Sequence, residues 1–180
     1  PAETLPTPEG SPCNSSSPYG ESKYQAEELL LAAAKEYGFS SVILRYANVY
    51  GPGQNGSKET GVIAIFTQNA HDNNPSDIYG DGEQTRDFVY VDDVVAANVL
   101  VAEKEIEGIY NVGTGEETSI TKLAEILKEL VSPDLEFIME AGREGEESRS
   151  CLDASKIKAI GWTPLVTLKE GLQRTLDSLK

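Results

Sequence analysis

A helix with both ends marked in the sequence is followed at once by an apolar strand. Ser17 suits the N-cap and Pro18 the first helical position, so a helix is predicted over 18–37, with Gly38 as its stop. Three apolar residues are expected on its buried side: Leu29, Leu30 and Ala33. The segment 41–46 is mostly apolar, as in a central strand of a parallel sheet. A helix leading into such a strand predicts an α/β fold.

The same alternation continues to the end of the chain. Helices are predicted over 60–72, 94–104, 118–131, 155–160 and 167–179. Strands are predicted over 77–79, 85–91, 108–112 and 135–139. The turn 80–83 joins the first two of these strands, which predicts a hairpin. Asp92 and Asp93 are then expected to cap the helix that follows.

Charge and composition argue against several classes of partner. The net charge is −15 and the pI about 4.4, whereas binding to nucleic acid or to an acidic membrane needs a basic surface. No apolar run approaches the roughly 20 residues of a membrane helix. Cys13 and Cys151 lie far apart without a CxxC spacing, which fits a reducing, cytoplasmic compartment. The chain has no Cys/His cluster, so no metal site is predicted, and His71 is expected to be exposed.

Tyr19 and Lys23 lie four residues apart at the start of the first helix and therefore share one face. An ammonium about 5 Å from a phenolate stabilises it by roughly 3 kcal/mol at an effective dielectric of about 20. The helix N-terminus adds up to about 1 kcal/mol in the same direction. Tyr19 is therefore a candidate acid/base group, although a Tyr-x-x-x-Lys spacing also arises by chance and its context must decide.

Glycines and arginines suggest further sites. Gly113-Thr114-Gly115 follows a predicted strand, but the third glycine of a dinucleotide fingerprint is missing, so a strand-to-helix turn is predicted. Arg86 and Arg143, two of only five arginines, lie beside turns or in loops. They can form surface ion pairs, or together a bidentate clamp for an anion such as a diphosphate.

Longer motifs in a fixed order carry a family resemblance. They are Ser17-Pro18-Tyr19-Gly20-Glu21-Ser22-Lys23, Arg45-Tyr46-Ala47-Asn48, Tyr79-Gly80-Asp81-Gly82, Arg86-Asp87-Phe88-Val89-Tyr90-Val91-Asp92-Asp93 and Tyr110-Asn111-Val112-Gly113. Together they resemble the extended short-chain dehydrogenase/reductases that act on nucleotide sugars. The nearest likeness is to UDP-glucose 4-epimerases and related NDP-sugar epimerases. The dTDP-glucose 4,6-dehydratases share most of these motifs, so that activity stays open, as does a nucleotide-sugar binding module without catalysis.

The resemblance implies the C-terminal half of such an enzyme. Residues 1–50 would be the last part of an NAD(P)-binding Rossmann-type domain, and residues 51–180 the smaller α/β lobe that binds the nucleotide sugar. The Gly-rich strand, turn and helix that binds NAD at the start of this family is not found here, nor is the Ser or Thr upstream of the tyrosine. The 180 residues alone are therefore expected to lack NAD binding and turnover. The full-length protein is expected to be a homodimer, while the assembly of this part is left open.

The resemblance also implies roles for single residues. Tyr19 would take the proton of the sugar 4-hydroxyl while NAD accepts the C4 hydride, leaving a 4-keto intermediate. Lys23 would hold the nicotinamide ribose, with Tyr46 near the nicotinamide. Eight residues would bind the UDP-sugar: Asn48, Val62, Asp77, Tyr79, Arg86, Arg143, Glu146 and Ser150.

The implied substrate contacts differ in chemistry. Arg86 and Arg143 would bind the diphosphate and Glu146 the ribose hydroxyls, since cations suit phosphates and a carboxylate suits a diol. Asn48 would lie beside the sugar diphosphate. Residues 62 and 77–79 would meet the uridine. Ser150 would face the sugar, and its small side chain predicts tolerance of UDP-N-acetylglucosamine in the full-length enzyme.

Overall fold

Helices and strands alternate through the residues that the computed structural model describes, which are 4–13, 17–54, 61–142 and 148–179. In these ranges the helices are α1 Pro18–Tyr37, α2 Val62–Asp72, α3 Val91–Glu103, α4 Ile120–Leu130, α5 Ser155–Ala159 and α6 Leu168–Asp177. The strands are β1 Val42–Tyr46, β2 Asn48–Tyr50, β3 Ser76–Tyr79, β4 Thr85–Arg86, β5 Phe88–Tyr90, β6 Gly108–Val112, β7 Thr118–Ser119, β8 Phe137–Glu140 and β9 Arg149–Ser150.

Local sequence sets both ends of α1, as predicted. The Ser17 side chain accepts a hydrogen bond from the Gly20 backbone N–H at 3.1 Å, and Gly38 ends the helix with its N–H donated to the Ala34 carbonyl. The predicted burial of Leu29 and Leu30 is wrong, since they are 72 % and 38 % exposed. Among the described residues no other element covers that face of α1, so its apolar side chains meet solvent, and Ala33 is only half-buried.

Parallel strand pairs dominate the sheets, which confirms the α/β class. Strands β1 and β6, β2 and β5, and β3 and β8 form three parallel pairs. Strand β4 lies between antiparallel β7 and parallel β9. Within the described ranges β1 has β6 as its one partner, so the predicted central position is not seen. The predicted hairpin is wrong, because β3 pairs with β8, and the segment 85–91 divides into β4, β5 and the first residue of α3.

Two apolar clusters form the core, and β5 lies between them. Phe88 and Tyr90 belong to the cluster under α2, α4 and α6, whereas Val89 belongs to the cluster with α3, α5 and Trp162. Successive side chains of a strand point to opposite faces, so this short strand serves both clusters. Leu123 and Leu127, four residues apart on α4, are fully buried in the first cluster.

The start of α3 also departs from the sequence prediction. The helix begins at Val91 with Tyr90 as its N-cap and without a side-chain cap bond, so capping by Asp92 and Asp93 is wrong. The buried Asp93 carboxylate instead accepts hydrogen bonds from the backbone N–H groups of Leu165 (2.9 Å) and Val166 (3.2 Å). Asp93 therefore ties α3 to the loop before α6.

The first described residues are tied to the far end of the chain. Thr7 forms a parallel bridge with Leu152, its N–H donating to the Cys151 carbonyl at 2.8 Å and its carbonyl accepting from the Asp153 N–H at 2.9 Å. Both cysteines are free thiols, and burial raises the pKa of Cys151 to about 11. In the part of the chain that is described, none of the helices has the length and apolar character to span a membrane.

Candidate active site

The predicted acid/base pair lies on the first turns of α1. Lys23 Nζ is 5.3 Å from the centroid of the Tyr19 ring, the contact that a spacing of four residues produces on a helix. Tyr19 is 73 % exposed. An exposed phenol beside an ammonium can exchange its proton with a ligand that approaches the start of the helix.

Two predicted residues lie where β1 passes into β2. Tyr46, at the end of β1, donates a hydrogen bond from its hydroxyl to Asn98 Oδ1 at 3.0 Å. Asn48, at the start of β2, donates from its backbone N–H (2.9 Å) and from Nδ2 (3.2 Å) to the carbonyl of Asp87. Asn48 is thereby held against the residue that follows Arg86.

Arg86 and Ser150 come together as register partners on the parallel strands β4 and β9. Register partners point to the same face of a sheet, so Arg86 and Ser150 share one face, and Arg86 Nη1 donates a hydrogen bond to the Thr85 carbonyl at 2.8 Å. The opposite face carries Thr85 and Arg149, which are also register partners and which both donate hydrogen bonds to the Glu117 carboxylate. Asn48, Arg86 and Ser150 thus form one group, called the strand-end group below.

The remaining predicted residues lie on other elements. Val62 is the first residue of α2 and is half-buried. Asp77 is exposed and Tyr79 half-buried on β3, whose last carbonyl accepts from Gln84 Nε2 at 2.9 Å. Arg143 and Glu146 lie outside the described residues, so their roles stay predictions. Among the residues described, His71 is exposed as predicted, and no group of His, Cys, Asp and Glu side chains is arranged to hold a metal.

Two carboxylates behind the strand-end group were missed by sequence reasoning. Asp87 is 1 % exposed, and its carboxylate accepts hydrogen bonds from Thr114, Gly115 and Leu152. Glu117 bridges Thr85 and Arg149. Asp87 has no local signal in the sequence, because charged residues are seldom buried and its partners Thr114, Gly115 and Leu152 lie 27, 28 and 65 residues away. Glu117 has no local signal, because both of its partners lie far away in sequence.

A cavity of about 330 Å³ lies between the N-terminal segment and α1. Its lining includes Cys13, Tyr24, Glu27 and Arg45, and none of the predicted site residues. The Arg45 guanidinium binds Glu27 through Nε (2.8 Å) and Nη2 (2.6 Å) and the Glu9 carbonyl through Nη1 (3.0 Å). The ion pair between Arg45 of β1 and Glu27 of α1 therefore forms part of the cavity wall and holds these two elements together.

Removing the charge of Glu117 is expected to change how stability depends on pH. Hydrogen bonds from Arg149 and then Thr85 lower the pKa of Glu117 from 4.5 to about 2. A carboxyl group whose pKa is lower in the folded state stabilises the fold above its ordinary pKa and loses that contribution as the pH falls. Glu117→Gln is expected to cost about 1 kcal/mol or less at pH 7, since the pair is partly exposed, with the difference from wild type shrinking between about pH 5 and pH 2.

Urea unfolding of both proteins across this pH range measures the difference. Glu129 and Asp153 also have lowered pKa values, but they titrate in both proteins and cancel in the comparison. A difference that stays constant from pH 7 to pH 2 would contradict the assignment.

Comparison with known proteins identifies the family. Residues 1–113 match the model of the NAD dependent epimerase/dehydratase family, which is more than half of the chain. The chain belongs to the NAD dependent epimerase/dehydratase family. Its membership confirms the resemblance and the Rossmann-type α/β fold class predicted from the motifs.

Relatives within the NAD dependent epimerase/dehydratase family include both epimerases and dehydratases. A putative UDP-glucose 4-epimerase of Methanocaldococcus jannaschii is 45 % identical over 176 residues, covering 98 % of this chain and 57 % of that protein. The human dTDP-D-glucose 4,6-dehydratase is 37 % identical, covering 94 % of this chain and 50 % of that protein. The crystal structure of the Thermotoga maritima UDP-glucose 4-epimerase with UDP-glucose has a TM-score of 0.94 at 44 % identity, covering 98 % of this chain and 58 % of that chain. The chain thus spans about half the length of these relatives.

Proposed function

We propose that this chain is the part of an NAD-dependent enzyme that binds a UDP-sugar and carries the acid/base pair for its epimerisation at C4. The observation that carries the proposal is the strand-end group, in which Asn48, Arg86 and Ser150 share one junction of strands. A guanidinium beside an amide and a hydroxyl matches the diphosphate and hydroxyl groups of a nucleotide sugar. The Methanocaldococcus jannaschii and Thermotoga maritima relatives support UDP-glucose as the substrate type.

The residues near the start of α1 fit a dinucleotide cofactor. Lys23 Nζ and the Tyr19 hydroxyl are both exposed, so they can donate to the hydroxyls of a ribose. Tyr46 is 44 % exposed at the end of β1 and offers an aromatic face. The chemistry that bound NAD would supply is the reversible transfer of a hydride with the sugar. This part of the proposal rests on the family, whose description names NAD.

The chain's own residues supply proton transfer and binding. Tyr19 takes the proton of the 4-hydroxyl and later gives it back, and the Lys23 ammonium stabilises the phenolate between these steps. Arg86 holds the diphosphate, so that the sugar can present either face while the nucleotide stays bound. Ser150 remains the residue predicted to leave room for an N-acetyl group.

The proposed division of labour follows the chain. Residues 1–50, with α1 and β1, would complete a nucleotide-binding domain, and residues 51–180 would form the substrate lobe, although β6 returns across this boundary to pair with β1. We propose that the 180 residues by themselves bind the UDP-sugar without turning it over.

The second candidate function is that of a nucleotide-sugar 4,6-dehydratase, favoured by the human relative. In the full-length protein, a product lighter than the nucleotide-sugar substrate by one water would distinguish a dehydratase from an epimerase, whose product has the mass of its substrate.

Binding of UDP to the 180-residue chain tests the proposal. We expect isothermal titration calorimetry to detect binding to wild type, and Arg86→Ala to weaken it by about 10- to 100-fold. This is the loss expected when charge-assisted hydrogen bonds to an anion are removed. Arg143→Ala is expected to weaken binding as well.

Arg174→Ala is the matched control for the loss of one positive charge. Arg174 pairs with Asp92 and Glu170 on the surface and lies over the Tyr90 ring, none of which belongs to the strand-end group, so its removal should leave the affinity within about twofold. Absence of binding to wild type would contradict the proposed function. Equal weakening by Arg86→Ala and Arg174→Ala would show only a general effect of charge.

A further inference from the structure

The buried carboxylate of Asp87 lies behind the strand-end group. Its Oδ1 accepts from the Thr114 N–H at 2.9 Å and from the Thr114 hydroxyl at 2.6 Å. Its Oδ2 accepts from the N–H groups of Gly115 at 3.2 Å and Leu152 at 3.3 Å. Four donors therefore offset the cost of burying this charge, which is 1 % exposed and cannot touch a ligand.

Each part of Asp87 reaches a segment that carries a member of the strand-end group. Arg86 precedes it directly in the chain. The Asp87 carbonyl accepts hydrogen bonds from both the backbone N–H and the side-chain Nδ2 of Asn48. Its carboxylate holds the N–H of Leu152, two residues after Ser150. One residue thus joins β2, β4 and the end of β9.

The turn after β6 is shaped to receive this carboxylate. A Cβ atom on Gly113 would overlap Asp87 Oδ2 and lie 3.1 Å from the Ala47 Cβ, so only glycine allows the approach. A strand-to-helix turn is predicted here from the Gly-x-Gly spacing, but the segment leads first into strand β7. The N–H groups of Thr114 and Gly115 are directed at a side chain of the same protein.

We propose that Asp87 is a positioning residue that sets Asn48, Arg86 and Ser150 in the arrangement that binds the UDP-sugar. The inference rests on the proposed function for the identity of the ligand. The proposed role distinguishes Asp87 from Asp93, a second buried aspartate of this fold. Asp93 is 3 % exposed and also accepts two backbone N–H groups, but the segments that it joins, α3 and the loop before α6, carry no predicted site residue.

Asp87→Asn and its control Asp93→Asn test the inference in the 180-residue chain. An amide has only one acceptor oxygen. In Asp87→Asn the NH₂ group replaces the other carboxylate oxygen, so it faces backbone N–H donors that have lost their acceptor. UDP affinity is measured by calorimetry well below the melting temperature of every variant, together with amide hydrogen exchange. We expect Asp87→Asn to weaken UDP binding by about tenfold or more, as for the loss of aligned hydrogen bonds, and to speed exchange at Asn48, Gly115 and Leu152. Asp93→Asn should lower the melting temperature comparably while UDP affinity stays within about twofold.

The outcomes separate the inference from the proposed function. Unchanged UDP affinity in Asp87→Asn, or equal weakening in Asp93→Asn, overturns the positioning role. If wild type does not bind UDP, the proposed function fails, and amide hydrogen exchange alone decides. Faster exchange at Asn48 and Leu152 in Asp87→Asn but not in Asp93→Asn supports positioning, and equal rates overturn it.

If Asp87→Asn does not fold, Thr114→Val replaces it as the test. This variant removes the hydrogen bond from the Thr114 hydroxyl to Asp87 and leaves the three bonds from backbone N–H groups. It should weaken UDP binding by a few-fold, and unchanged affinity overturns the inference.

Discussion

Tyr19→Phe is expected to lower the kcat for UDP-glucose epimerisation by about 10²- to 10⁴-fold, the usual contribution of a positioned acid/base group. The test uses a chimera in which the part of the Thermotoga maritima enzyme that precedes the matched region is joined to Pro1. At 44 % identity and a TM-score of 0.94, the two folds are close enough for this exchange. Phenylalanine keeps the ring but has no proton to transfer, so chemistry is lost while the ring contact of Lys23 remains.

Tyr37→Phe is the matched control for this prediction. Tyr37 ends the same helix and is 73 % exposed, as Tyr19 is. The Tyr37 variant should keep the kcat of the parent chimera within about twofold, because Tyr37 lies about five helical turns from Tyr19 and about four from Lys23. Equal kcat values for the Tyr19→Phe chimera and its parent would refute the role of Tyr19.

Gly171→Ala is expected to destabilise the fold by about 2 kcal/mol or more, although alanine favours helices over glycine by roughly 1 kcal/mol. Gly171 is buried in α6, and an added Cβ would overlap the Tyr50 hydroxyl and lie 2.8 Å from Tyr50 Cζ and 2.9 Å from Tyr90 Cδ2. Both rings are packed in the larger core cluster and cannot retreat without opening it. Urea unfolding of the single variant measures the cost.

A double variant shows whether this overlap is the cause. Tyr50→Phe removes the phenol oxygen that the new methyl group meets first, so Gly171→Ala with Tyr50→Phe should be more stable than the sum of the two single changes. If Gly171→Ala proves as stable as wild type, helix propensity dominates and the predicted packing conflict is wrong.

Elements with local end signals could be predicted from the sequence, whereas strand pairing could not. The start of α4 was predicted to within two residues, at 118 instead of Ile120, because Ser119 caps the helix by accepting from the Lys122 N–H at 3.1 Å, a contact within four residues. The hairpin was wrong because β3 takes β8 as its partner from some sixty residues away, and no local pattern encodes that choice. The apolar side chains of α1 illustrate the same limit, since the sequence shows what a helix can bury but not what covers it.

For the candidate site, the sequence motifs predict which residues take part but not which of them lie next to each other in the fold. Arg86 and Ser150 were named separately, and only the register of β4 and β9 brings them together. Asp93 was expected to act within its own helix, yet its carboxylate is taken by Leu165 and Val166. Motif resemblance predicts the residues that meet a ligand but not the side chains that hold those residues in place, so it predicts no role for Asp87 or Glu117.

The bridge between Thr7 and Leu152 also has a consequence for the order of events during synthesis. A growing polypeptide leaves the ribosome from its N-terminus, so Thr7 emerges long before the backbone groups of residues 151–153 that it binds. Helix α1 can form early from its own capping groups, whereas the segment before it must wait for nearly the whole chain. Contacts of such long sequence separation slow folding. The segment around Thr7 is therefore expected to be among the last of these residues to dock.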